Sequence, residues 1–195
     1  MPKVVGVITK GATFPTIVAS SDLTAASETA AGVAELATPG EINAGTDATR
    51  AMSPDAFAAS EPGTLYLEFR LFSAGVSCTT GDSAFFMQVP PKLDGMDLVY
   101  VHARNNAPGT TGTMDIQIRR SRETNPTTLA HVDMLSTVIT IDTGEYGSHN
   151  AAAAPVIKSD GSEAVAENDV VSGDIDAIHS TAALGCIVTV GFRTV

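Results

Sequence analysis

From Gly63 onward the apolar residues of this chain recur every second position, and no helical period interrupts them. In "TLYLEFRLF", Leu65, Leu67, Phe69 and Leu71 fall on one side, with Tyr66, Glu68 and Arg70 on the other. "TMDIQIRR" sets Met114, Ile116 and Ile118 against Asp115, Gln117 and Arg119. "SAFFMQV", "MDLVYVHAR", "DMLSTVITID", "DVVSGDIDAI" and "GCIVTVGF" are the other five segments, and "PVIK" offers a short eighth. Alternation puts successive side chains on opposite faces of a strand, so each segment has one face to bury. Turn chemistry separates them: Thr79-Thr80-Gly81-Asp82, Asp94-Gly95, Pro108-Gly109-Thr110-Thr111-Gly112 and Asp142-Thr143-Gly144. Strands in series without crossover helices close as an antiparallel β-sandwich or jelly roll, here of about seven to eight strands, over residues 63–195.

The preceding third reads differently. Residues 1–20, with "VVGVITKGATFPTIVAS" broken at Lys10-Gly11 and Pro15, predict an extended arm. Residues 21–62 predict short helices. Ser21 or Ser27 is a candidate cap, with Val33 and Leu36 at helical spacing behind it. Thr38-Pro39 with Glu41 forms a second start, ended by Gly45, and Ser53-Pro54-Asp55 a third. Helices this short do not stand alone in water. Their few large apolar residues, Val33, Leu36, Ile42, Met52 and Phe57, need a neighbour to cover them. With Val4, Val5, Val7, Ile8 and Phe14 of the arm, they are the expected assembly and attachment residues.

The remaining chemistry is sparse. The chain carries 22 acidic and 11 basic residues, a net charge of −11, which disfavours a nucleic-acid partner. The densest basic group, Arg119, Arg120 and Arg122, reads as a strand end rather than a phosphate site. Cys78 and Cys186 lie far apart in apolar surroundings and read as buried thiols, a disulfide remaining possible. His102, His131, His149 and His179 show no metal-ligand spacing, though the fold could bring separated ones together. Asp174 and Asp176 share a strand face without a calcium-loop pattern. No nucleophile, phosphate-loop or dinucleotide motif occurs, so no catalytic residue, cofactor or metal is expected and the chain does not read as an enzyme. The opening "MPKVVGVITKGATF" lacks the apolar run of a secretory signal, and no segment approaches the ~20 apolar residues of a spanning helix. Synthesis in a cytoplasm without a membrane partner is the expectation.

Residues 26–60, "ASETAAGVAELATPGEINAGTDATRAMSPDAFAAS", resemble a repeat of tailed-bacteriophage structural proteins, often tail or head fibres. The matching positions are Glu28, Gly32, Val33, Leu36, Ala37, Thr38, Glu41, Ile42, Gly45, Asp47, Arg50, Ala51, Ser53 and Pro54. The later stretches, such as "FFMQVPPKLDGMDLVYVHARNNAPGTTGTMDIQIRR", are similar in layout to a β-sandwich domain of phage virions. The resemblance implies a homotrimer on the virion surface, with the repeat wound about the threefold axis. One repeat and a short arm suit a capsid decoration (cement) protein or short head fibre bound to the major capsid protein. The alternative is a tail-fibre tip, held by a tail or baseplate protein, that binds host surface glycans, with Tyr66, Tyr100 or Tyr146 stacking on sugar rings.

Overall fold

A computed structural model of the chain describes residues 34–47 and 49–195. The arm of residues 1–20 and the first helix start lie outside these residues, as do Val4, Val5, Val7, Ile8, Phe14 and Val33.

The second and third helix starts form where the sequence places them. Helix α1 spans Pro39–Ala44 and α2 spans Pro54–Ala58. Glu41 N donates to Thr38 Oγ1 at 3.3 Å, while Thr38 N donates to Glu41 Oε2 at 2.9 Å. This reciprocal box satisfies amides that the first turn leaves unpaired. Gly45 closes α1 in the left-handed region, φ 63°. Ser53 Oγ accepts from Ala56 N and caps α2.

Leu36 departs from expectation. Residues 34–38 are not helical, and Leu36 instead forms a parallel bridge with Ala51. Ala37 N donates to Ala51 O at 2.8 Å and Ala51 N donates to Glu35 O at 2.9 Å, so this backbone is spent across the loop rather than along a helix. Arg50 fixes the loop by ion pairs to Glu35 (3.3 Å), Glu41 (2.9 Å) and Asp47. Hydrogen bonds from the Thr49 hydroxyl and amide hold the Asp47 carboxyl down at about 2. The polar positions of this segment thus have local work: Thr38 and Glu41 cap, Gly45 turns, and Asp47 and Arg50 brace.

The sandwich follows. Strands β1 (Leu65–Ser77), β3 (Asp97–Ala107) and β10 (Leu184–Arg193) form one sheet in the order β1-β10-β3. Strands β2 (Gly81–Gln88), β4 (Met114–Asn125), β5 (Thr128–Asp133) and β9 (Val170–Ala177) form the other in the order β2-β9-β4-β5. Strand β7 (Ile139–Ile141) pairs with the start of β4, and β6 (Leu135–Thr137) pairs with β8 (Val156–Ile157). Every pairing in these sheets is antiparallel. The first four strands alternate between sheets, the first pairs with the last, and the second pairs with the one before the last. That is the jelly-roll order.

The core lies between the sheets, built from Ile116, Ile118, Ile139, Ile141, Val171, Val188, Val190 and Phe192, all fully buried. Phe69 of β1 stacks on Phe85 of β2 across the gap, centroids 4.4 Å apart and planes 12° from parallel. Gly173 of β9 leaves the space in which the Phe85 ring sits.

All seven expected strands form, and "PVIK" supplies β8. "DMLSTVITID" divides into β6 and β7. Where it leaves the sheet, the Gln117 side chain substitutes for a strand partner: Leu135 N donates to Gln117 Oε1 at 3.3 Å and Gln117 Nε2 donates to Leu135 O at 3.2 Å. Strand β5 has no counterpart in the sequence reading. It is largely exposed on both faces, so no alternation marks it.

The Arg119, Arg120 and Arg122 group is consumed internally. Arg119 Nη2 lies 2.8 Å from Asp174 Oδ2, and Arg120 donates to the carbonyls of Gly161 and Ala164. Arg122 grips Asp169 with Nε to Oδ1 at 2.8 Å and Nη2 to Oδ2 at 2.6 Å. The Arg120 and Arg122 bonds tie down the long loop between β8 and β9. Burial pushes the Asp169 carboxyl up, but the Arg122 fork and the Ala166 amide outweigh it and hold the carboxyl below its ordinary value. A folded-state pKa below the unfolded one stabilises above the unfolded value, near pH 4, and that stability is lost as pH falls through the folded value. Asp169→Asn should cost about 1–3 kcal/mol at pH 7. Urea unfolding between pH 6 and pH 2 should then show a flatter acid dependence than wild type; an identical pH profile would exclude this role.

Candidate functional site

Two surfaces stand out. The first is the segment ahead of the sandwich. Of the expected interface residues that are described, Leu36, Met52 and Phe57 are 61%, 57% and 41% exposed, and Ile42 is half-buried. Neither helix buries a large side chain; Ala56 is the one buried residue in the pair. The segment is held by polar bonds, including Glu61 N to Asn43 Oδ1 at 2.6 Å and Ser60 Oγ to Phe57 O at 2.6 Å. Its own large apolar groups are left largely uncovered.

The second surface is the outer face of β1-β10-β3. Register aligns residues of β1 and β3 across the central strand β10. Tyr66 and Tyr100 flank Gly191, Glu68 and His102 flank Thr189, and Arg70 and Arg104 flank Ile187. A side chain at Gly191 would come within 3.0 Å of Tyr100 Cβ and Tyr66 Cε1, so the glycine lets the two rings meet edge to face, centroids 5.4 Å apart. The chain returns beside β3 at Gly147, which bridges Arg104, and Asn105 N donates to Tyr146 O at 2.7 Å. This sets the Tyr146 ring under the Arg104 guanidinium, 5.8 Å from its Cζ. All three tyrosines of the chain therefore lie on or beside one sheet face, each about half exposed.

A groove of about 300 Å³ opens between Arg70 and Arg104, with Phe72, Ala74, Asn106 and Ile187 among its walls. A bulge between Arg70 and Phe72 shapes it, turning Phe72 toward the core while Arg70 stays outside. The sequence placed Tyr66, Glu68 and Arg70 on one strand face. It carried no sign of their partners, because alternation within a strand does not name its neighbour.

The fold does bring two separated histidines together. His102 Nε2 lies 3.4 Å from His149 Nδ1. Burial first, then the neighbouring charges of His149 and Arg104, lower the pKa of His102. His131 Nδ1 contacts Ser121 Oγ at 2.7 Å across β4 and β5, and Ser121 is buried. His179 is buried, its ring packed over Gly109. Asp174 and Asp176 share a face as expected, but Asp174 is fully covered by Arg119 and by the Ser83 amide at 2.7 Å, whereas Asp176 is exposed. Among the described residues no three His, Cys, Asp or Glu side chains converge as metal ligands. Cys78 and Cys186 are free and buried, and burial pushes their thiols up to about 11 and about 12. Among the described residues no helix is long and apolar enough to cross a membrane.

The described residues thus present an exposed apolar segment ahead of the sandwich, and a sheet face with the Tyr66–Tyr100 pair at one end and Arg70, Arg104 and the Tyr146 ring at the other. No protein-family model, curated protein or solved structure matches this chain, so its fold and candidate surfaces rest on its own residues.

Proposed function

We propose that this chain is a virion-surface structural protein of a tailed phage: a trimeric capsid decoration (cement) protein or short head fibre that binds and stabilises the capsid exterior. The exposure of Leu36, Met52 and Phe57 on a braced segment that resembles a virion repeat carries this reading. Large apolar side chains grouped on one short segment are characteristic of a surface made to be covered. Three chains meeting through that segment would cover it, with the jelly rolls outward and residues 1–20 docked on the major capsid protein. Several arms on one lattice would add as avidity even where each contact is modest. Deleting residues 1–20 should leave a folded trimer that no longer sediments with capsids assembled from the phage's own major capsid protein. Full occupancy by the truncated protein would refute the arm as anchor.

A second reading, a tail-fibre tip that binds host surface glycans, is favoured by one observation: Tyr66, Tyr100 and Tyr146 all lie exposed on or beside one sheet face. Aromatic side chains offer a large apolar surface with a polar tip, which suits a ligand that is hydrophobic on one side and hydroxylated on the other.

A further inference from the structure

The Arg70–Arg104 groove is electrostatically out of place. The chain has a net charge of −11, yet here two arginines stand opposite one residue, Ile187, on the same outer face. Their backbones are separated by two strand spacings, about 10 Å. At that separation the two guanidinium groups repel only weakly across solvent, and an anion placed between them would be attracted by both. Three other arginines have carboxylate partners: Arg50 has Glu35, Glu41 and Asp47, Arg119 has Asp133 and Asp174, and Arg122 has Asp169, while Arg120 donates to the carbonyls of Gly161 and Ala164. Among the described residues, neither Arg70 nor Arg104 has a carboxylate within ion-pair distance.

We propose that this groove binds the carboxylate of an acidic saccharide, with Arg70 and Arg104 closing on the carboxylate from either side and the Tyr146 ring supporting the sugar. The proposal rests on the glycan-binding reading and names its ligand class. Guanidinium forks match a carboxylate's two oxygens, and the positive pair within a negative surface would draw an anion to this spot. The Tyr146 ring beneath Arg104 pre-positions that guanidinium and leaves an exposed aromatic edge beside it. Asn106, whose Nδ2 donates to Ala74 O at 3.0 Å, keeps its Oδ1 as an acceptor for a hydroxyl. A volume of about 300 Å³ matches a small ligand rather than a protein segment. The Tyr66–Tyr100 pair lies four residues along the same face, about 14 Å away, where further units of an oligosaccharide would run. A nucleic-acid backbone is disfavoured because two arginines cannot offset the repulsion of the remaining surface.

The test is calorimetric titration of the full-length protein with a galacturonic acid trisaccharide, a neutral galactose trisaccharide and inorganic phosphate. The acidic trisaccharide should bind at least tenfold more tightly than either of the others and weaken with added salt. Arg70→Gln and Arg104→Gln should each reduce its affinity at least tenfold, and Arg104→Lys should restore only part of it, with the thermal midpoint unchanged. Equal binding of the acidic and neutral sugars, with silent arginine variants, would overturn the proposal while leaving the glycan-binding reading standing. Binding of phosphate as tight as that of the acidic trisaccharide would overturn it as an unspecific anion effect. Binding of neither sugar would overturn both.

Discussion

Replacing Gly173 with alanine is expected to destabilise the jelly roll by about 3 kcal/mol, near the upper end of overpacking costs. A Cβ there would lie 2.2 Å from Phe85 Cε1 and 2.7 Å from Cδ1, inside any allowed contact. The ring has little room to give. It is 7% exposed and stacked on Phe69 from the opposing sheet, so displacing it disturbs both layers at once. The thermal midpoint should fall by roughly 6–12 °C. Phe85→Leu introduced together with Gly173→Ala should recover part of the loss, because the smaller side chain vacates the clash; contacting residues are where additivity fails. An unaltered midpoint in the single variant would mean that β2 and β9 do not pair in this register.

The second large effect concerns assembly rather than folding. Leu36→Asp with Met52→Asp should convert the proposed trimer to single chains while leaving the sandwich midpoint within about 2 °C, as surface substitutions do. Both side chains are more than half exposed in the isolated chain, so the subunit has little to lose. In a trimer the same substitutions remove six apolar groups from the shared surface. Each retains about 1–2 kcal/mol of further burial to gain, and the sum spans several powers of ten in association. Six carboxylates brought together would add repulsion. Sedimentation velocity distinguishes the outcomes, and a variant that stays trimeric would place the contact elsewhere.

The legible and illegible parts of this molecule separate by sequence range. Alternation revealed the strands because one face of each is buried against the other sheet, as Ile116 and Ile118 are. Cap residues revealed α1 and α2 because Thr38, Glu41, Gly45 and Ser53 act within a few positions of themselves. Leu36 was misread because its backbone pairs with Ala51, a contact no local period reports. Strand β5 was missed because neither face is buried. Asp174 and Asp176 look alike in sequence, and only Arg119 and Ser83, brought from other strands, bury one and not the other. The Arg70–Arg104 row was hidden for the same reason: β10, the final strand, joins β1 to β3.

Behind both proposed roles stands the claim that residues 21–62 are completed by neighbouring copies. The mass of the purified full-length protein at micromolar concentration, by sedimentation equilibrium, tests it most directly. A species of three times the 20.0 kDa chain mass is expected, persisting on dilution until association fails. A monodisperse species of one chain mass, with Leu36, Met52 and Phe57 protected from solvent labelling, would contradict it.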